Sequence, residues 1–165
     1  MQLGGNAVVI RERNVDTDVL YPGPFLSIQD VNQMKQPLFE GLNPALRDEL
    51  VGDTVLIVGE NFGTGSSREH VPQAMKASGI RCVVGKSFAR IFYRNCINLG
   101  MPVVVCPGAA EAASPGSRIR IDTEAGTVEV DGKRFEAKPI PAFMHDMLSS
   151  GGLVEWARVR SGAVG

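Results

Sequence analysis

Apolar residues in this chain fall into two rhythms. Through the first two thirds they come as short unbroken blocks: "AVVI" at 7–10, "VLIV" at 55–58, "CVV" at 82–84 and "VVVC" at 103–106. Blocks of this length, rich in β-branched residues and bounded by glycine, proline and charge, predict buried strands. The first is expected over Asn6–Arg13 and the second over Asp53–Glu60. Helical signals separate the later ones. Pro72 suits the first turn of a helix that ends at Gly79, and Ser87 is placed to cap "FARIFYRNCINL", which Gly100 ends. Strand, helix, strand, helix, strand from about 54 to 106 predicts a parallel α/β unit.

After Pro107 the rhythm becomes alternation. "RIRIDTEAGTVEVDGKRFEAKP" reads as antiparallel strands joined by tight turns at "EAG" and "DG". A helix in "PAFMHDMLSSGG" follows, and "LVEWARVR" runs on from it. Earlier, "NVDTDVLYPGP" reads as a loop, and Asp30 is placed to cap a helix over 30–40 that contains Pro37. The sum is one domain, a mixed sheet with a parallel core and antiparallel strands on one side.

Composition narrows the function classes. The chain has 165 residues, 44% hydrophobic and 21% charged, with a formal net charge of −1. Nothing there favours nucleic acid or an anionic membrane surface. No apolar run has the length of a membrane span, and the N-terminus lacks the pattern of a signal peptide, so a cytoplasmic protein is expected. Cys82, Cys96 and Cys106 are far apart in apolar surroundings and read as small buried hydrophobes rather than metal ligands. No metal site is expected in this chain.

One stretch departs from a plain scaffold. "NFGTGSSREH" (61–70) sets glycines and serines directly against Arg68, Glu69 and His70. "GTGSSR" lacks the third glycine of a dinucleotide loop. No lysine lies between Val51 and Met75, which excludes a P-loop. No acid is identified to hold His70 for a serine triad. Ser66-x-x-Glu69 also fits a capping box, so a purely structural turn remains a reading. The position favours ligand binding, because the stretch follows the C-terminal end of a parallel strand and leads into a helix. Serine hydroxyls, backbone N–H groups and Arg68 would converge there on an anion, most naturally a carboxylate.

"NFGTGSSREH", "KSFARIFYRNCINLG" and an early "VDTD" before a Pro-Gly turn together resemble the small subunits of 3-isopropylmalate dehydratase, in the aconitase superfamily. The resemblance spans about residues 5–160 and implies a single β/β/α swivelling domain. It also implies a separate large subunit as partner, which carries a [4Fe–4S] cluster, with none bound by this chain. Ser66 then corresponds to the catalytic base. Ser67 and Arg68 line the substrate site with Gly65 and Thr64, and Arg68 meets a substrate carboxylate. Asp16 and Asp18 order the facing loop. Arg90 and Arg94 read as a solvated or salt-bridged helix face, Glu69 as a cap, and His70 as a packed histidine near the site. Pro24 stands where many relatives have arginine, and Thr64 where many have cysteine. With Pro24, the loop's Phe25, Leu26 and Ile28 are expected to favour a small alkyl-malate. The implied reaction is isomerisation of 2-isopropylmalate to 3-isopropylmalate in leucine synthesis. A homoaconitase, a methylmalate- or dimethylmalate-type dehydratase, and a non-catalytic carboxylate-binding module are the alternatives.

Overall fold

Strand β1 (Gln2–Ile10) is the pivot of the sheet. Its second half, Asn6–Ile10, runs parallel to β2 (Thr54–Val58), and its first half, Gln2–Asn6, runs antiparallel to β5 (Arg118–Asp122). The computed structural model describes residues 1–162. On the parallel side β3 (Ile80–Gly85) and β4 (Val103–Val105) follow; on the antiparallel side β6 (Thr127–Val130) and β7 (Lys133–Glu136) complete the order β4-β3-β2-β1-β5-β6-β7. The parallel core and antiparallel flank expected from the two rhythms are therefore parts of one seven-stranded sheet.

Side chains alternate across this sheet into two cores. Val8, Ile10, Leu56, Val58 and Val83 face one side, while Ala7, Val55, Ile57, Cys82 and Val84 face the other. On the first side pack α1 (Thr17–Leu20), α2 (Val31–Met34) and α3 (His70–Ala77), through Leu20, Met34, Val71 and Met75. α4 (Arg90–Asn98) sends Phe92 and Cys96 to this core and Ile97 to the other. The second core is closed by α5 (Pro107–Ala112) and α6 (Ala142–Ser150), and α7 (Leu153–Arg160) follows a left-handed Gly151. Burial on both faces is what the continuous apolar blocks require.

Several local expectations need correction. The helix expected over 30–40 is the single turn α2. Asp30 does cap it, accepting from the Asn32 N–H at 2.9 Å, but Pro37 has no N–H to offer the Gln33 carbonyl. Ser87 does not cap α4. Ala89 holds the cap position without a side-chain bond, and Ser87 Oγ instead accepts from the Asn61 N–H at 2.7 Å. The "VDTD" loop contains α1, capped by Asp16 through the Asp18 N–H at 2.8 Å. Helix α5 was not anticipated. It starts on Pro107, and the Arg11 guanidinium donates to the Ala110 and Ala113 carbonyls at its far end.

Candidate active site

Because β1, β2 and β3 are parallel neighbours, the segments leaving their C-terminal ends emerge side by side. They stay paired beyond the strands. The Gly63 and Thr64 N–H groups both donate to the Val15 carbonyl, at 2.8 and 3.1 Å, and the Thr17 N–H donates to the Thr64 carbonyl at 2.8 Å. On the other side the Phe62 N–H donates to Ser87 at 3.2 Å and Ala89 donates back to Phe62 at 3.0 Å. The "NFGTGSSREH" stretch is thus the middle of three segments. Phe62 anchors it, fully buried and edge-on to Phe92 at 5.4 Å; an aromatic ring buried this way contributes roughly 1.5–3 kcal/mol.

Gly63 and Gly65 are required by this arrangement. Both have φ of +90°, a region that L side chains rarely adopt. A Cβ on Gly63 would lie 2.2 Å from the Phe92 ring, and one on Gly65 would lie 2.5 Å from both carboxylate oxygens of Asp16. The backbone is flush against an aromatic ring on one side and a carboxylate on the other.

Past Gly65 the chain turns outward, and Ser66 and Ser67 are exposed. The Ser66–Glu69 capping box does not form: α3 begins at His70, and Glu69 occupies the cap position without a side-chain bond. Ser66 is instead fixed through its backbone, whose carbonyl accepts from Thr17 Oγ1 at 2.8 Å. Its Oγ is left toward solvent, with Arg68 Nε at 3.5 Å. Ser67 Oγ accepts from Asn95 Nδ2 of α4 at 2.6 Å.

Arg68 is the most constrained of the triplet. Its Nη1 donates to the Tyr21 carbonyl at 2.7 Å and its Nη2 pairs with Asp18 at 2.6 Å, with only 14% of the side chain exposed. A guanidinium has five N–H donors. Three face Tyr21, Asp18 and Ser66, which leaves two without a partner among the described residues. Thr64 sits at the base of the loop, half-buried, its Oγ1 donating to the Asn14 carbonyl at 3.4 Å.

The loop after Tyr21 lies alongside. Pro24 is exposed within a 3-10 turn over Gly23–Phe25. Phe25, Leu26 and Ile28 are half-buried and pack inward on the core beside Leu20 and Tyr21. His70 Nε2 is 2.9 Å from the Ile28 carbonyl, and its ring centroid lies 5.1 Å from that of Tyr21. The Tyr21 hydroxyl is buried without a partner among the described residues, and burial raises its pKa. The residues expected to face a substrate's alkyl group therefore brace the loop, while Pro24 forms part of its outer surface.

Arg90 and Arg94 are exposed and make no ion pair among the described residues, which is the solvated form of the expected face. The three thiols are free and buried, with their pKa values raised by burial. Cys96 lies in one core, Cys82 and Cys106 in the other. No group of three His, Cys, Asp or Glu side chains gathers as a metal site among the described residues, and no helix there is long and apolar enough to cross a membrane. Sequence reasoning missed Thr17 and Asn95. Asn95 lies within "KSFARIFYRNCINLG", but no local signal joins it to a serine 28 positions away.

Fold and site define an α/β domain of the aconitase swivelling type, with the candidate site at the carboxyl ends of three parallel strands. Residues 1–107 match the family described as the aconitase C-terminal domain. The chain belongs to that family and, within it, to the small subunits of 3-isopropylmalate dehydratase. It is 49% identical over 144 residues to 3-isopropylmalate dehydratase small subunit 1 of Methanopyrus kandleri, covering 86% of this chain and 85% of that one. It is 42% identical over 147 residues to the small subunit of Caldicellulosiruptor bescii, covering 88% and 89%. The crystal structure of the 3-isopropylmalate dehydratase protein of Methanocaldococcus jannaschii superposes with a TM-score of 0.91 at 32% identity, over 99% of this chain and 97% of that one.

Proposed function

We infer that this chain is the small subunit of a hydro-lyase that isomerises 2-isopropylmalate to 3-isopropylmalate by dehydration and rehydration, in leucine biosynthesis. It acts with a large subunit. The observation that carries the chemistry is the Ser66 hydroxyl. It is exposed on a loop whose backbone is pinned, and Arg68 Nε lies 3.5 Å away.

Ser66 is the base that takes the Cα proton. An alcohol is a very weak base at neutral pH, and its ionised form needs fixed positive charge and oriented donors. Arg68 supplies the charge, held in place by Asp18 and Tyr21. Its two remaining N–H groups bind a substrate carboxylate, and Ser67 binds beside it. In rehydration Ser66 returns the proton to the neighbouring carbon. Gly65 and Thr64 line the floor. A [4Fe–4S] cluster, carried by the large subunit, supplies a Lewis acid for the departing hydroxyl when bound. The three thiols of this chain are buried in two separate cores, in keeping with a cluster held by the partner. The face holding Ser66 and Ser67 is the face the partner covers.

Reconstitution tests this. The chain alone is expected to be inactive, and the complex with its large subunit to convert 2-isopropylmalate. Turnover by the isolated chain at the rate of the complex would overturn the reading.

A further inference from the structure

We propose that Asn95 is a positioning residue: it fixes the Ser67 hydroxyl so that its proton is presented outward, to a carboxylate oxygen of the substrate. This deepens the reading of Ser67 above and rests on it.

The two serines of the loop are treated differently. Among the described residues Ser66 Oγ has only the distant Arg68 Nε, at 3.5 Å. Ser67 Oγ is held at 2.6 Å by Asn95 Nδ2. A hydroxyl has one proton to give and two lone pairs. With Asn95 donating into one lone pair, the Ser67 O–H cannot also point at Asn95. It is left to donate to an acceptor on the open side, and an anionic carboxylate oxygen is the strongest candidate there.

The holder is rigid while the held residue is exposed. Asn95 is half-buried on α4, next to the fully buried Cys96. Phe92, one turn earlier, locks α4 to the loop: its ring lies edge-on to Phe62 and fills the space where Gly63 would carry a Cβ. Asn95 thus refers the position of Ser67 to the core. A loop serine without such a tie would lose rotamer freedom on binding each substrate molecule. The effect belongs to binding, because Ser67 contacts a non-reacting carboxylate.

The test uses the complex reconstituted with its large subunit and 2-isopropylmalate as substrate. Asn95→Ala is expected to raise KM about tenfold and to change kcat less than about twofold. In a Ser67→Ala background the same substitution is expected to change KM less than about twofold, because the hydroxyl it acts through is gone. Asn95→His, whose Nδ1–H reaches a similar point, is expected to recover most of the affinity. An unchanged KM in Asn95→Ala overturns the proposal. So does an equal rise in the Ser67→Ala background, which marks a structural effect on α4. No turnover by the wild-type complex sinks the functional reading and this proposal with it; normal wild-type turnover with an unmoved Asn95→Ala KM sinks this proposal alone.

Discussion

Asp18 Oδ1 lies 2.6 Å from Arg68 Nη2, and this pair joins the two sequence motifs of the site across 50 positions. The "VDTD" segment leaves β1 and the Gly-Ser loop leaves β2; because those strands are parallel neighbours, one carboxylate can set the angle of the other segment's guanidinium. Asp18 is 59% exposed, so the pair adds little to stability by itself. Its consequence is orientation. With Nη1 on the Tyr21 carbonyl, Nε is directed to Ser66.

Asp18→Ala therefore leaves folding intact and lets the Arg68 fork turn. We expect kcat/KM of the reconstituted complex to fall about fivefold to tenfold, the equivalent of about 1–1.4 kcal/mol. Steady-state kinetics beside a thermal melt checks it. A melt lowered by many degrees with unchanged kinetics would show that Asp18 serves the fold and not the fork.

Ser66→Ala removes the proposed base without touching a buried contact, since the Ser66 bond that holds the loop uses its backbone carbonyl. We expect near-complete loss of turnover with normal folding and subunit association. Ser67→Ala is milder. Arg68→Lys mainly raises KM, because an ammonium cannot meet Tyr21, Asp18 and Ser66 with one planar fork. Retention by Ser66→Ala of more than about a tenth of the rate, a loss below about 1.4 kcal/mol, would remove Ser66 from the role of base.

Gly65→Ala tests whether the loop's shape is needed. The left-handed backbone alone costs about 1–2 kcal/mol with a side chain, and the new methyl would collide with the Asp16 carboxylate that caps α1. We expect a lower thermal midpoint and a larger loss of activity than the stability change explains, since Asp16 and Asp18 move together. A variant with wild-type midpoint and wild-type activity would show that the loop adapts freely.

How far the sequence was legible depended on distance along the chain. Continuous apolar blocks marked β2, β3 and β4, because a strand covered on both faces has no polar alternation. Polar alternation marked β5, β6 and β7. The first half of β1 was illegible: "QLGG" has no pattern, and Gly5 is there because a Cβ would meet the Asp53 carbonyl at 2.4 Å. The misread caps fail for different reasons. Helix α3 begins only at His70, too late for Ser66 to cap it, whereas the Ser87 hydroxyl is taken by a tertiary partner, the Asn61 N–H. The motif residues of the site came from the resemblance, but their ties to Asp18, Tyr21 and Asn95 are tertiary and had no local signature.

The last prediction concerns the substrate's distal group and rests on Pro24. From Tyr21 to Gln29 the loop carries no basic residue. Phe25, Leu26 and Ile28 turn toward the core, so the loop's outer surface includes Pro24, Ser27 and Gln29, all exposed and uncharged. Arg47 is engaged elsewhere, donating to the Leu38 carbonyl at 3.0 Å and paired with Glu40 at 2.6 Å. A further carboxylate brought against this surface and shut from water would lack a partner, at a cost of several kcal/mol. A small alkyl group loses nothing there and gains about 0.8 kcal/mol for each methylene it buries. We expect the complex to prefer 2-isopropylmalate or dimethylmalate over citrate and homocitrate by about tenfold or more in kcat/KM. Pro24→Arg should narrow that ratio, because Pro24 is exposed and its 3-10 turn accepts other residues. Its stability cost should be small: about 0.4–1 kcal/mol of unfolded-state stiffening is lost with the proline. Competition assays with the four acids on both complexes decide it. A wild-type preference for a tricarboxylate would mean that the charge facing the distal group comes from the large subunit.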